Sequence, residues 1–290
     1  MLADTQPRPR RVAVGEFDGV HLGHREVIAG NDTVLTFDPH PLAVIRPEAA
    51  PKLLTSLEVK IELVAALGVQ ELVVIPFDHR FGAQSPQEFI DHVLVDQLQA
   101  THVSVGENFY FGHGAAGDTD MLAADPRFET RVVTLVEVDG EIVSSSHIRG
   151  LVLAGEVEQA ARFLGAPFAL RGEVVHGDKR GRTLGFPTAN LVPDEHLVCP
   201  GHGVYAARAA GACAAVSIGV RPTFGSGRAV IVEAFLLDRD EDLYGRTLQI
   251  DFLSRLRGER RFDSVEALVE QMDLDVEQTR QLCARADPLC

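Results

Sequence analysis

Tryptophan is absent from this 290-residue chain, and methionine and tyrosine occur only three times each. The four cysteines, Cys199, Cys213, Cys283 and Cys290, all lie in the second half, with no C-x-x-C spacing. That excludes the usual structural zinc patterns, and a chain this long does not need a disulfide framework, so reduced thiols are expected. Cations are also scarce: 27 Lys and Arg stand against 42 Asp and Glu, a net charge of −15. Most of the acidity lies in residues 1–150, with 11 cations against 22 acids. Such a balance argues against nucleic acid as a partner, which needs a basic face. It leaves room for small anions, because a local cationic loop can outweigh distant charge. No apolar run reaches the roughly 18 residues of a membrane span, so no membrane partner is expected. The start, MLADTQPRPRR, has no apolar signal core, and a cytoplasmic location is expected. There is no internal repeat, and oligomeric state cannot be read.

A hydrophobic fraction of 46% and a charged fraction of 24% are those of an ordinary globular protein. At this length two domains are the default. The first half alternates expected strands at 11–14, 34–37, 72–75, 102–105 and 131–136 with helices. One helix is expected over 55–67, with Thr55 and Glu58 as a capping box and Leu57, Ile61 and Val64 on its inner face. Another opens at Ser85-Pro86-Gln87-Glu88 and runs to about Leu98. This alternation predicts an α/β fold with a doubly wound parallel sheet and ligands at the carboxyl ends of its strands. Two short helical stretches, 151–153 and 157–164, are split by Gly155. The expected boundary is Gly165-Ala166-Pro167, giving domains 1–165 and 166–290. Beyond it the period changes to two, with strands expected near 168–176, 187–192, 203–209, 213–219, 229–237 and 247–253. Many short strands imply a small closed barrel. A last helix over 264–284 should be capped by Ser264 and packed through Val265, Leu268, Val269 and Met272.

Residues 172–191 read GEVVHGDKRGRTLGFPTANL. Glycines let backbone amides approach an anion, and Lys179, Arg180 and Arg182 raise the local potential. Thr188 and Asn190 share a face if the segment is extended, and offer the hard oxygens that Mg²⁺ accepts. The residues alone equally permit a basic turn followed by a self-satisfied asparagine. The whole string, G-x-V-V-H-G-x-x-R-G-R-x-L-G-F-P-T-A-N, closely resembles the ATP-binding segment of riboflavin kinases. That resemblance implies ATP contacts at Gly177, Lys179, Arg180, Gly181, Gly185, Pro187, Thr188 and Asn190, with Mg²⁺ on Thr188 and Asn190. Further on, Glu233 interrupts the apolar run 231–237, which is costly for a carboxylate unless it has a partner or a task; otherwise it faces outward. The family pattern V-E-x-x-L-L-D, followed by D-L-Y-G at 242–245, implies that Glu233 is the base for the riboflavin 5′-hydroxyl. The turn 219–225, GVRPTFG, matches the family too and reads as structural.

At the first strand-to-helix turn stands GEFDGVHLGH, residues 15–24. Its glycines allow close backbone approach, and a helix N-terminus there attracts negative charge. Two histidines three apart can stabilise charge on a leaving pyrophosphate, although a metal pair or two solvated rings would share the spacing. Thr36-Phe37-Asp38-Pro39-His40-Pro41, the V-G-x-N-F-x-F-G run at 105–112 and Ser144-Ser145-Ser146-His147-Ile148-Arg149 follow in order. Together these strings resemble the nucleotidyltransferase half of the prokaryotic bifunctional riboflavin kinase/FMN adenylyltransferase family. The resemblance implies nucleotide contacts at Gly15, Phe17, Asp18, Gly19, His21, Gly23, His24, Ser144, Ser145, Ser146 and Arg149. It implies flavin contacts at Asp38 and Asn108, and catalytic roles for His21 and His24. The substrates would be ATP, riboflavin and FMN. Only nine residues separate His24 from Val34, so the first crossover helix should have about two turns. That shortening keeps two alternatives open: a kinase with a weakened adenylyltransferase half, or a flavin sensor without turnover.

Overall fold

A computed structural model describes residues 7–176, 186–222, 228–239 and 241–286. The chain divides into two compact units, Met1–Ser145 and Ser146–Cys290.

In the first unit five parallel strands, β1 (Arg10–Val14), β2 (Thr33–Asp38), β3 (Glu71–Pro76), β4 (Ala100–Gly106) and β5 (Glu129–Val133), lie in the order β3-β2-β1-β4-β5. The order reverses beside β1, which opens a crevice at the carboxyl ends of β1 and β4. Alternation along β1 sends Val12 and Val14 into one core, with Leu35, Ile75, Phe89 and Leu94, and Ala13 into the other, with Phe17, Ile28, Val34 and Val64. Burial on both faces is what a doubly wound sheet requires. Helix α1 (Leu22–Ile28) has the expected two turns. After α2 (Pro41–Ile45) comes α3 (Leu57–Ala66), then α4 (His79–Gly82) and α5 (Pro86–Glu88), which continues as a helical segment, Phe89–Gln97. The capping box between Ser85 and Glu88 forms as read from sequence. Helix α6 (Thr119–Ala123) and a hairpin of β6 (Glu137–Val138) and β7 (Glu141–Ile142) complete the unit.

Helix α3 departs from the expectation. Its cap is Ser56, whose hydroxyl accepts from the Val59 amide, and Thr55 is used elsewhere. The inward face carries Lys60 and Val64, 5% and 1% exposed, while Ile61 points out at 44%. Hydrophobic periodicity could not anticipate a buried lysine.

Helix α7 (Ser145–Ala154) starts on the last residue of the first unit and runs into the second, where α8 (Val157–Leu164) follows. Between them Gly155 has a φ of +81°, and a Cβ there would lie 2.6 Å from the Tyr205 hydroxyl. Helix α8 buries Val157, Ala160, Phe163 and Leu164, and Glu158 accepts from the Ser254 hydroxyl and the Arg255 amide. Strands β8 (Phe168–Val175), β9 (Ala189–Leu191), β10 (Gly203–Ala209), β11 (Ala212–Pro222), β12 (Arg228–Leu236) and β13 (Thr247–Arg257) close into an antiparallel barrel in the order β10-β11-β12-β9-β8-β13. Helix α9 (Val265–Ala286) packs over β10, β11 and β13. Ser264 caps it as expected, but Val265 is 56% exposed rather than inward. Its buried face is partly polar: Asp275, Thr279 and Cys283. Asp275 receives a two-pronged contact from Arg257, at 3.1 and 2.8 Å. Cys283 is paired with Cys213 as a disulfide, with Cα atoms 6.2 Å apart, where reduced thiols were expected. The partners lie 70 residues apart, and only the docking of α9 on β11 brings them together.

Removing one partner of a buried ion pair leaves the other charge unpaired, at a cost of about 3–5 kcal/mol. Asp275→Ala should therefore lower the stability of the barrel unit by about that much in a denaturant titration. A loss below about 1 kcal/mol would mean that Arg257 finds water or another partner at once.

Candidate active sites

The turn after β1 is built from unusual backbone. Phe17, Gly19 and Val20 all have positive φ, at 51°, 83° and 43°. Such conformations cost non-glycine residues about 1–3 kcal/mol each and persist only where surroundings enforce them. The surroundings here are specific. Phe17 and Val20 are each 1% exposed. The buried Asp18 carboxylate accepts from the Leu54 and Thr55 amides at 2.8 and 3.2 Å, and the Gly19 amide donates to Thr55 Oγ1 at 3.2 Å. The Asp18 carbonyl accepts from Ser145 Oγ at 2.9 Å, and so the first and last motifs of this half meet. The Glu16 carbonyl accepts from Thr36 Oγ1 at 3.0 Å and from Lys60 Nζ at 2.7 Å.

This turn delivers His21 and His24 to the start of α1. His21 Nδ1 accepts from the His24 amide at 3.2 Å, capping the helix, which leaves its proton on Nε2. The two rings stack with centroids 3.5 Å apart, and Phe17 meets His24 edge-on at 5.3 Å. A Cβ at Gly23 would come within 3.3 Å of the His21 ring, so a glycine there leaves the stack undisturbed. His24 Nδ1 is buried without a hydrogen-bond partner. Burial first, then the adjacent His21 and Lys60, hold the His24 pKa well below its ordinary value, so the ring is neutral. Glu16 is pushed up to about 8, mainly by burial; Lys60 opposes the shift and the carboxylates of Asp18 and Asp38 add to it.

The remaining expected residues of this half divide by position. Gly15 ends β1's run into the turn. Asp38 closes β2 and Asn108 follows β4, both exposed and flanking β1 at the carboxyl edge of the sheet. Ser144 and Ser145 are half-buried, while Ser146 and Arg149 lie on the first turns of α7, joined by a 3.0 Å hydrogen bond. Glu16, Thr36 and Lys60 were not singled out from sequence, and Thr55 was read there as a helix cap rather than a brace for this turn. Of the first three only the lysine left a trace there, as a charge four residues before the inward Val64.

In the barrel, register brings distant residues together. Glu233 lies opposite Asn190 of β9 and Ser217 of β11, so the three side chains project on one face. Val232 and Ala234 point the other way and are fully buried. Glu233 thus faces out of the barrel's core, yet beside Asn190. Asn190 is 6% exposed, and its buried Oδ1 has no hydrogen-bond partner among the described residues. Pro187, Thr188 and Asn190 line an open cleft of about 340 Å³, whose other wall includes Arg239, Asp242 and Tyr244. The Tyr244 ring packs on His176 at 3.9 Å, and the Gly245 amide ties the turn back to Val174. Gly177, Lys179, Arg180, Gly181 and Gly185 lie outside the described residues, as do Thr223–Gly225 by number, 223–225.

Comparison with known proteins decides what the two sites serve. Residues 3–147 match the FAD synthetase family model and residues 164–283 the riboflavin kinase model. A bifunctional riboflavin kinase/FMN adenylyltransferase from Listeria monocytogenes is 40% identical, covering 95% of this chain and 93% of the relative. The chain belongs to this bifunctional family. Relatives of the same description from Bacillus subtilis and Escherichia coli are 37% and 36% identical, over 92% and 96% of the chain and 90% and 94% of their own lengths. A Streptococcus pneumoniae crystal structure described as a macrolide-efflux protein is 31% identical, with a TM-score of 0.88 and 96% of both chains covered. Among the described residues no helix is long and apolar enough to cross a membrane. The protein phosphorylates riboflavin with ATP to give FMN, and adenylylates FMN with a second ATP to give FAD and pyrophosphate. The doubly wound sheet and the kinase barrel are the two folds expected from sequence.

The Glu16 shift has a consequence for stability. A carboxyl raised from 4.5 to about 8 binds its proton more tightly when folded. Below the unfolded pKa the group is stability-neutral or favourable, and it increasingly destabilises the fold as pH rises towards about 8. Glu16→Gln should match the wild type in thermal unfolding below about pH 4.5 and exceed it progressively up to about pH 8, above which the gap stays constant. An equal melting temperature at both ends of that range would show that Glu16 ionises freely.

Proposed function

We propose that each reaction is carried by the residues its motif supplies, with the kinase centred on Glu233 and Asn190. The observation that carries the kinase reading is the pairing of Glu233 with Asn190, whose buried Oδ1 lacks a partner among the described residues. An orphaned acceptor next to a half-buried carboxylate is costly unless a ligand completes it. Glu233 accepts the proton of the riboflavin 5′-hydroxyl, and the freed oxygen attacks the γ-phosphorus of ATP as ADP leaves. Thr188 Oγ1 and Asn190 Oδ1 would hold Mg²⁺, which when bound neutralises phosphate charge. Gly177, Lys179, Arg180, Gly181 and Gly185, with Pro187, cradle the ATP phosphates.

In the adenylyltransferase, a phosphate oxygen of FMN attacks the α-phosphorus of ATP and pyrophosphate departs. His21, with its proton on Nε2, and neutral His24 donate hydrogen bonds to the charge that builds on the phosphates. Gly15, Phe17, Asp18, Gly19 and Gly23 shape the turn against the nucleotide, Asp18 through its braces to residues 54 and 55. Ser144, Ser145, Ser146 and Arg149 meet the phosphates, and Asp38 and Asn108 meet the flavin. The functional domains run over 1–165 and 166–290. ATP and flavin are substrates of the cytoplasm, and we place the protein there.

Glu233→Gln keeps size and hydrogen-bonding reach but cannot take up the proton. Riboflavin phosphorylation should fall by about 10²–10⁴ in turnover, with supplied FMN still converted to FAD at the normal rate. A kinase rate within about twofold of wild type would return Glu233 to an outward-facing structural residue. Asn190→Ala should weaken the kinase so that excess Mg²⁺ restores part of the rate. Normal activity with a normal Mg²⁺ dependence would remove Asn190 from the metal site.

A further inference from the structure

Lys60 is a buried cation that none of the recognised motifs contains. Its side chain crosses from α3 to the turn after β1, where Nζ donates to the Glu16 carbonyl at 2.7 Å and to Thr36 Oγ1 at 3.4 Å. Thr36 Oγ1 in turn donates to the same carbonyl at 3.0 Å. Five and six residues earlier, on the approach to α3, the Leu54 and Thr55 amides and the Thr55 hydroxyl grip Asp18 and Gly19. The segment 54–60 therefore holds the left-handed turn at both ends, one end with hydrogen bonds and the other with a full charge.

A buried ammonium is an expensive way to hold a carbonyl, because a neutral donor would avoid most of the desolvation cost. Its field reaches farther than its hydrogen bonds. The carboxylates of Glu16 and Asp18 on the turn and of Asp38 at the end of β2 favour its charged form against burial. From the other side it acts on His24, together with His21. Asp18 and Asp38 would otherwise leave uncompensated negative charge beside a site that must receive the phosphates of both FMN and ATP. We propose that Lys60 is a positioning residue for adenylyl transfer, which fixes the turn bearing His21 and His24. This rests on the reading of that histidine pair as the adenylylating centre. Uncharged, the His24 ring donates through one nitrogen and stacks on His21 without like-charge repulsion. The cation that offsets the acids is then Lys60, set back from the reacting atoms.

The test uses Lys60→Met and Lys60→Arg in the full chain, with riboflavin phosphorylation as the internal control. Methionine keeps the length of the side chain and removes its charge. FAD formation should lose about 10²-fold in kcat, the scale of a catalytic group displaced by about 1 Å, while FMN formation is unchanged. Removing a nearby cation raises the pKa of the two groups whose protonation it opposes, Glu16 and His24. The acid limb of the FAD pH profile should therefore move to higher pH in Lys60→Met and stay in place in Lys60→Arg. A packing role would lower the rate without moving the limb, and that result would overturn the proposal. So would an unchanged FAD rate in Lys60→Met. If the methionine variant does not fold, Lys60→Gln, which keeps a donor for the Glu16 carbonyl and loses the charge, decides: the acid limb should move as expected for Lys60→Met, and an unmoved limb would overturn the proposal. His24→Ala separates the two readings: normal FAD synthesis in that variant removes the histidine centre itself. Loss of FAD synthesis there beside a normal Lys60→Met condemns only the role of Lys60.

Discussion

The first half depends on a turn that would not persist on its own. Between β1 and α1 the chain passes through positive φ at Phe17, Gly19 and Val20. Two of these are bulky residues, and each conformation has to be imposed by its neighbours. The imposing groups come from three other places in the chain: Thr36 on β2, residues 54–60 before and on α3, and Ser145 at the start of α7. The short α1 is tolerable for the same reason. Seven residues cannot sustain a helix alone, but Val27 and Ile28 are buried and His21 caps the first turn. The shortened crossover therefore still delivers the histidine pair, stacked and largely sealed from water.

The barrel reaches its chemistry by another route, which is register. β9 is only three residues long, and its pairing with β12 sets Asn190 against Glu233. A slip by one residue would turn Glu233 into the fully buried row of Val232 and Ala234. The core of the barrel thus fixes which face the carboxylate takes. Burial of α8 and the Arg257–Asp275 pair under α9 close that core from outside.

Strand positions in both halves were legible in the sequence, because period-two and apolar runs reflect burial directly. The motif strings marked the segments from which both sites are proposed. What stayed hidden were contacts that obey no period. Thr55 looked like a helix cap and instead braces Gly19; Ser56 took the cap. Ile61 fits an apolar stripe and faces water, since Lys60 has the inward position for electrostatic reasons. On α9, Val265 yields to Asp275 and Thr279, which are buried because Arg257 and the helix backbone satisfy them. The Cys213–Cys283 disulfide depends on where that helix docks, which spacing alone does not encode.

Two activities on one chain imply one sequence of products. The most direct test is a time course with pure protein, riboflavin, ATP and Mg²⁺, with flavins separated and identified. FMN should accumulate first and FAD should follow at its expense. FMN that is never consumed, with ATP still in excess, would contradict the reading of the α/β half as a working adenylyltransferase.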